Sequence, residues 1–387
     1  MNKHITNTFL IVFSTFLGAA CGDSEDDNAN DPALIAEGKE TFRHDTFGDE
    51  SFWTDTLKMH EVIASAVDPT TALSVGLKVD AEALPPGILG TVDLKSPATT
   101  VALLKLNAVV GLRGTVVSEG GIDRLARVGV TCALCHSTVD DSVMPGIGKR
   151  LDGWANVDLN PGAIIALSPA VTAEQKAVYG SWGKGKYDPR YNADGINGPV
   201  IIPPAYGLRD SPHVTYTGDG DIRYWNTYVA VTQMGGQGEF GDERLGMERM
   251  LSAGTPDMVH SKLDGLRAYQ FSLTAPVPPV GSFDTTAAER GKAVFAQSCA
   301  SCHRGSARTQ EQLHAPADTG VDATYANRSA SKRYRTTPLR GLWQHPPYFH
   351  DGSAATLPAV VDHYDRVLTL GLSAAQKADL VEFLKSI

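Results

Sequence analysis

Residues 131–140 read TCALCHSTVD, and residues 298–305 read SCASCHRG. Each stretch holds two cysteines three positions apart with a histidine straight after the second: Cys132, Cys135 and His136, then Cys299, Cys302 and His303. Close cysteine pairs can form disulfides, thioredoxin-like redox pairs or parts of zinc sites. A closed zinc site needs four ligands, and each motif offers three. A thioredoxin-like pair needs a βαβ setting, which the flanks do not show. Covalent haem uses all three residues at this spacing. Both thiols add to the vinyl groups of one haem on a single helical turn, and the adjacent imidazole is placed over the iron as proximal ligand. Two motifs predict two covalently bound haem c groups, anchored by Cys132, Cys135, Cys299 and Cys302, with His136 and His303 on the irons. They also set the fold class: mainly α, with two cytochrome c-like haem domains in tandem.

The flanks of the second motif fit that plan. TTAAERGKAVFAQS leads into Cys299 with apolar residues at helical spacing. GLSAAQKADLVEFLKSI ends the chain, with Ser373 as the expected N-cap and Leu380, Val381 and Leu384 on one face. A helix in, a haem turn and a helix back define the second domain, residues 285–387. The prolines of TAPVPPVGSFD mark a linker at 277–284. Upstream the plan repeats: ALIAEGKETF parallels TAAERGKAVF, and MVHSKLDGLRAYQFSL parallels the closing helix. The first domain therefore runs over 33–276, with a helical insertion or extension between Phe42 and Cys132.

A second pair of stretches aligns. Tyr206–Met234 and Thr337–Tyr364 each hold Leu-Arg, an aromatic loop, Asp-Gly and an apolar run ending in a residue able to ligate iron. Arg209 and Arg340 are the expected partners of haem propionates. Met234 closes the first stretch as its distal ligand; His363 and Tyr364 close the second, and both stand as distal candidates. His60, His213 and His260 are weaker distal candidates, and Met144 fits better as packing against a haem edge.

The 387-residue chain has room for two domains with real cores, and its net charge of −10 argues against nucleic acid as a partner. The start differs from the rest. MNKH followed by FLIVFSTFLGAA has the layout of an export signal, 1–20, too short for a stable membrane span. Cys21 follows it directly and is the expected lipidation site. GDSEDDNANDPA behind it is acidic and nearly free of apolar side chains, and a disordered tether is expected over 21–32. The expectation is an exported protein, periplasmic or anchored by lipid, facing the periplasm or exterior.

TPLRGLWQHPPYFHDGSAATLPAVVDHY resembles the C-terminal haem domain of bacterial dihaem cytochrome c peroxidases and MauG-type proteins. The resemblance implies two mainly helical cytochrome c domains facing each other, one haem receiving electrons and the other meeting peroxide. It places Tyr364 where the family has a distal Met or Tyr. It also sets VTQMGG beside a family stretch in which a catalytic Glu precedes Met-Gly. Here that position is Gln233, which cannot act as a general acid or base; Glu239 is the nearby carboxylate left as catalytic candidate. Gly218 stands where the family has a tryptophan between the haems, with Trp225 close by. Two functions follow: electron transfer through two haems, with a redox partner protein or a small electron donor or acceptor; or a dihaem enzyme of the peroxidase or MauG type, acting on peroxide or an oxidisable substrate.

Overall fold

The computed structural model describes residues 27–387. The export signal and Cys21 lie outside the described residues. Two helix pairs frame the molecule. The first is Pro32–His44 with Leu263–Ser272. Asp31 caps Pro32–His44 by accepting from the Ala33 amide, and Pro32, which has no N–H to lose, starts it. The second pair is Thr285–Ser298 with Ala374–Lys385. The Asp284 carboxylate caps the former at Thr286 N and Ala287 N; Ser373 and Gln376 cap the latter reciprocally.

Both pairs cross at a glycine. A Cβ on Gly38 would sit 1.7 Å from the Gly265 carbonyl oxygen, and one on Gly291 would sit 2.0 Å from that of Asp379. Four residues beyond each glycine a phenylalanine packs on an aromatic of the closing helix: Phe42 lies 5.4 Å from Tyr269, and Phe295 lies 5.1 Å from Phe383, centroid to centroid. Backbone-to-backbone contact at the glycine lets those rings bury one turn later.

The insertion is less helical than its sequence suggested. Helices Met59–Ala66, Pro69–Ser74 and Pro97–Lys105 are present. They are followed by an antiparallel hairpin, Leu112–Glu119 with Ile122–Val130, turning at Gly120 and Gly121. Both glycines have positive φ, 58° and 85°, which a two-residue hairpin loop requires. The hairpin's second strand runs straight into Thr131 and Cys132. It corrects the expectation of a helical insertion, and five smaller two-stranded sheets accompany it among the described residues. The fold is therefore helical with a substantial β contribution.

The main core gathers residues from the hairpin, the insertion helices and the first helix pair, with Phe42, Leu104, Leu125, Tyr228 and Leu266 fully buried. A separate core holds Val294, Phe295, Leu357, Val361, Leu380 and Leu384. A small third cluster joins Val200 to Tyr325, Ala326 and Tyr334. Ion pairs link the two ends of the chain there: Arg328 binds Asp188 at 2.9 Å and Asp194 at 2.8 Å.

Candidate functional site

Cys132, Cys135 and His136 open onto a cavity of about 220 Å3 together with Gln233 and Met234. The hairpin delivers the motif, and the short helix Ala133–His136 forms its turn. From the other side of the sequence, the helix Ile222–Tyr228 widens into a π-turn, Val229–Gln233, closed by Met234 N donating to the Val229 carbonyl at 2.9 Å. Such single wide turns insert a residue and re-aim the side chains that follow. Trp53 Nε1 locks the turn by donating to the Met234 carbonyl at 2.9 Å. Ile164 and Ile165, from helix Pro161–Ala166, add apolar wall.

The cysteines of both motifs are free thiols, not disulfides. Burial pushes Cys132 and Cys135 up to about 12, so both are protonated. Among the described residues no three His, Cys, Asp or Glu side chains gather as a chelating site, which leaves zinc without a coordination shell. His136 Nδ1 donates to the Pro203 carbonyl at 3.0 Å, and burial lowers its pKa to about 4. The ring is thus neutral with its Nε2 lone pair free, the form that ligates metal.

The second motif starts where helix Thr285–Ser298 ends, with Cys299 as its C-cap. His303 repeats the first histidine's arrangement: Nδ1 bonds the Arg308 carbonyl at 2.9 Å, and burial lowers its pKa. The Phe295 ring lies 6.3 Å from the His303 ring. Tyr364, on helix Leu357–Val367, has its phenol pushed up to about 12 by burial and by the nearby sulfurs of Cys302 and Cys299. Its ring packs edge-on to Phe349, 5.7 Å away.

Four sequence expectations are corrected. His363 turns away: Nε2 bonds the Thr319 carbonyl at 2.8 Å, and its ring packs on Phe349. Glu239 does not line the cavity; its carboxylate meets the Leu251 amide at 3.5 Å. Arg209 reaches the Ala29 carbonyl and lies over the Phe271 ring. Arg340 is taken up by Asp210, at 2.8 Å, and the Gly207 carbonyl, at 3.0 Å. In each case a nearer polar partner or ring satisfies the side chain. His213 bonds the Glu311 carbonyl, His260 pairs with Asp257, and Met144 is exposed; none of them, nor His60, lines the cavity.

Two arginines that the sequence did not single out lie behind the cavity. Arg190 is fully buried, pairs with Asp219 at 3.0 Å and stacks on Trp225 and Tyr228; its Nε and Nη1 have no acceptor. Arg335 donates to the His213 carbonyl, leaves Nε buried without a partner, and has its pKa lowered to about 10 by burial. Trp225, Tyr216 and Tyr325 separate these groups from the cavity space. An apolar cavity that carries two thiols and a neutral imidazole suits a flat apolar group, and haem is such a group. Neither arginine stands in a motif, so spacing gave no signal for them.

Comparisons with known proteins agree with this chemistry. The Cytochrome c family matches residues 288–387. The methylamine utilization protein MauG of Methylophilus methylotrophus is 25% identical over 179 residues, covering 38% of this chain and 49% of the relative. MauG of Methylorubrum extorquens is 31% identical over 120 residues, covering 26% and 34%. The chain thus spans about half the length of one curated relative and a third of the other. Two solved structures share 18% identity: Kuenenia stuttgartiensis hydrazine synthase pressurized with 20 bar xenon, at TM-score 0.36 over 49% of this chain and 73% of that one, and a MauG-like protein associated with microbial copper homeostasis, at 0.33 over 50% and 75%. Residues 288–387 form a cytochrome c domain, which supports covalently bound haem c there, and part of the chain is similar to MauG.

Proposed function

We propose that this protein is an exported dihaem c-type cytochrome that transfers electrons through two covalently bound haems, one in each of two cytochrome c-like domains, 33–276 and 285–387. The observation that carries the reading is repetition of structure beyond the motif. Each Cys-x-x-Cys-His accompanies a glycine-crossed helix pair, and each histidine is fixed through Nδ1 to a backbone carbonyl. Bound haem supplies a one-electron Fe(III)/Fe(II) couple at each site.

The chain's own residues favour transfer over turnover at the first site. The Nδ1 bonds orient both imidazoles and raise the basicity of Nε2. Met234 offers a thioether with no proton to give. Gln233 spends its amide on protein partners: Oε1 accepts from the Tyr187 hydroxyl, and Nε2 donates to the Pro189 carbonyl and Thr232 Oγ1, each at 2.9 Å. Among the described residues no Asp or Glu lines the cavity. We assign Met234 and Tyr364 as the distal ligands.

The second reading, an enzyme of the peroxidase or MauG type, rests on the similarity to MauG and on the phenol of Tyr364. One comparison separates the two. The half-reduced protein, given peroxide and an electron donor, should turn over negligibly while exchanging electrons quickly with a small cytochrome or dye. Rapid peroxide turnover would assign it to the enzymes. Met234→Ala should bring a high-spin signal and lose an iron–sulfur band; an unchanged spectrum removes Met234 from the iron.

The electron partner is a redox protein or small donor or acceptor, and a lipid on Cys21 holds the chain at a membrane, facing the periplasm or exterior. Cys21→Ser should release it from the membrane fraction; a wild-type protein already fully soluble contradicts the anchor.

A further inference from the structure

A second cavity, of about 620 Å3, lies against the first. The two share a wall made of Trp53, Ile165, Tyr187 and Gln233. Its size falls in the range of small-molecule sites, about 300–1,000 Å3. Two wide helical turns face into it: Ser51–Thr56, which brings Phe52, Trp53 and Thr56, and Val229–Gln233. Wide turns of this kind recur at functional sites because they cost regular hydrogen bonding and are kept for what they position.

Its lining is aromatic in a specific arrangement. Tyr179, Trp182 and Tyr191 meet edge to face, with centroids 5.0 Å apart for Tyr179–Trp182, 5.4 Å for Tyr179–Tyr191 and 6.0 Å for Trp182–Tyr191. Tyr187 adds a fourth ring, 5.2 Å from Trp182. Trp182 is held in place by Nε1 donating to Asn197 Oδ1 at 2.9 Å. Edge-to-face clusters of this kind present ring faces that accept a further planar ring.

The charge is as distinctive as the rings. Among the residues lining this cavity Arg249 alone is charged, and there is no Asp or Glu. Arg249 is exposed and forms no ion pair among the described residues. An unpaired guanidinium on an aromatic cavity, in a chain of net charge −10, selects an anionic group.

We propose that this cavity binds a small aromatic carboxylate, its ring among Tyr179, Trp182 and Tyr191 and its carboxylate on Arg249. The ligand would then lie one side chain, Tyr187 or Gln233, from the first haem cavity. This inference supplies a substrate or effector class for the redox reading. Its binding arm does not depend on that reading; only its optical arm does.

The test is calorimetry on the haem-loaded full chain with 4-hydroxybenzoate, benzyl alcohol and benzylamine. The carboxylate should bind one to one with Kd on the order of 0.1 mM, the alcohol more weakly and the amine not at all. Arg249→Ala, at an exposed position, should weaken the carboxylate about tenfold and leave the alcohol unchanged. Thr56→Trp, also exposed, should narrow the cavity and weaken both. Binding should shift the Soret band through the shared wall. Absence of saturable heat up to about 10 mM, equal affinity for all three compounds, or affinity indifferent to both variants overturns the proposal. Carboxylate binding with no Soret shift would leave the site standing and remove its coupling to the first haem. Since no arm measures electron transfer, failure here leaves the dihaem reading as it was.

Discussion

Asp49 shows how much one buried side chain can dictate. It is fully buried, its carboxyl oxygens meet the Val130 amide at 3.2 and 3.3 Å, and among the described residues no cation pairs with it. Burial first, and then Glu50 and Asp45, push its pKa up to about 9. The folded chain therefore keeps this proton where the unfolded chain, near 3.8, has released it. Between those two values the folded state binds more protons, so stability falls as pH rises, by about 1.4 kcal/mol per unit at most. Asp49→Asn mimics the neutral acid and should flatten that slope. Urea unfolding at pH 5 and pH 8 measures it: the wild type should lose clearly more stability than the variant between the two, and parallel losses would show that Asp49 ionises freely. The same scale separates legible residues from illegible ones. The thiols and imidazoles of the two motifs were readable because chemistry fixes their spacing. The fates of His363, Glu239, Arg209 and Arg340 were not, since each is decided by a carbonyl, amide, ring or carboxylate brought near only by folding.

Helix crossings are the unit of architecture at the next scale. Gly291 has no room for a side chain against the Asp379 carbonyl, so Gly291→Val must push the opening and closing helices of the C-terminal domain apart. A cost above about 3 kcal/mol is expected, against under about 0.5 kcal/mol for Ala293→Val on the exposed face of the same helix. Thermal melts of the two variants decide it, and equal shifts would contradict the crossing. These helices were legible because caps and apolar spacing mark them in the sequence, Asp284 and Ser373 above all. The hairpin was missed although its signals were present. Gly120 and Gly121 make the turn, and Val116, Val117, Leu125 and Val128 belong to β-branched and apolar runs. Charged residues between them, Arg124 and Arg127 among others, broke the pattern that a half-buried ribbon needs not keep on its open face. The wide turn that presents Gln233 and Met234 left no mark either, since it differs from an α-helix by one hydrogen-bond register.

Contacts between the two ends of the chain make one molecule of the two helix pairs. Ile201 N donates to the His350 carbonyl at 2.7 Å, Trp154 packs edge-on to Trp343 at 5.8 Å, and Tyr325 lines the cavity of the first motif. Arg328 reaches Asp188 across 140 positions of sequence, a separation that no local pattern reports. The aromatic cavity is of the same kind, because Trp53, Tyr179 and Val231 come together only in the fold. What the whole molecule does depends on how many haems it carries. The direct measurement is the intact mass of the mature protein made in a host that matures c-type cytochromes, with Cys132→Ala/Cys135→Ala and Cys299→Ala/Cys302→Ala variants alongside. The account predicts the mass of two haems on the wild type and of one on each variant. A wild-type mass with a single haem, or with free thiols at either motif, would contradict it.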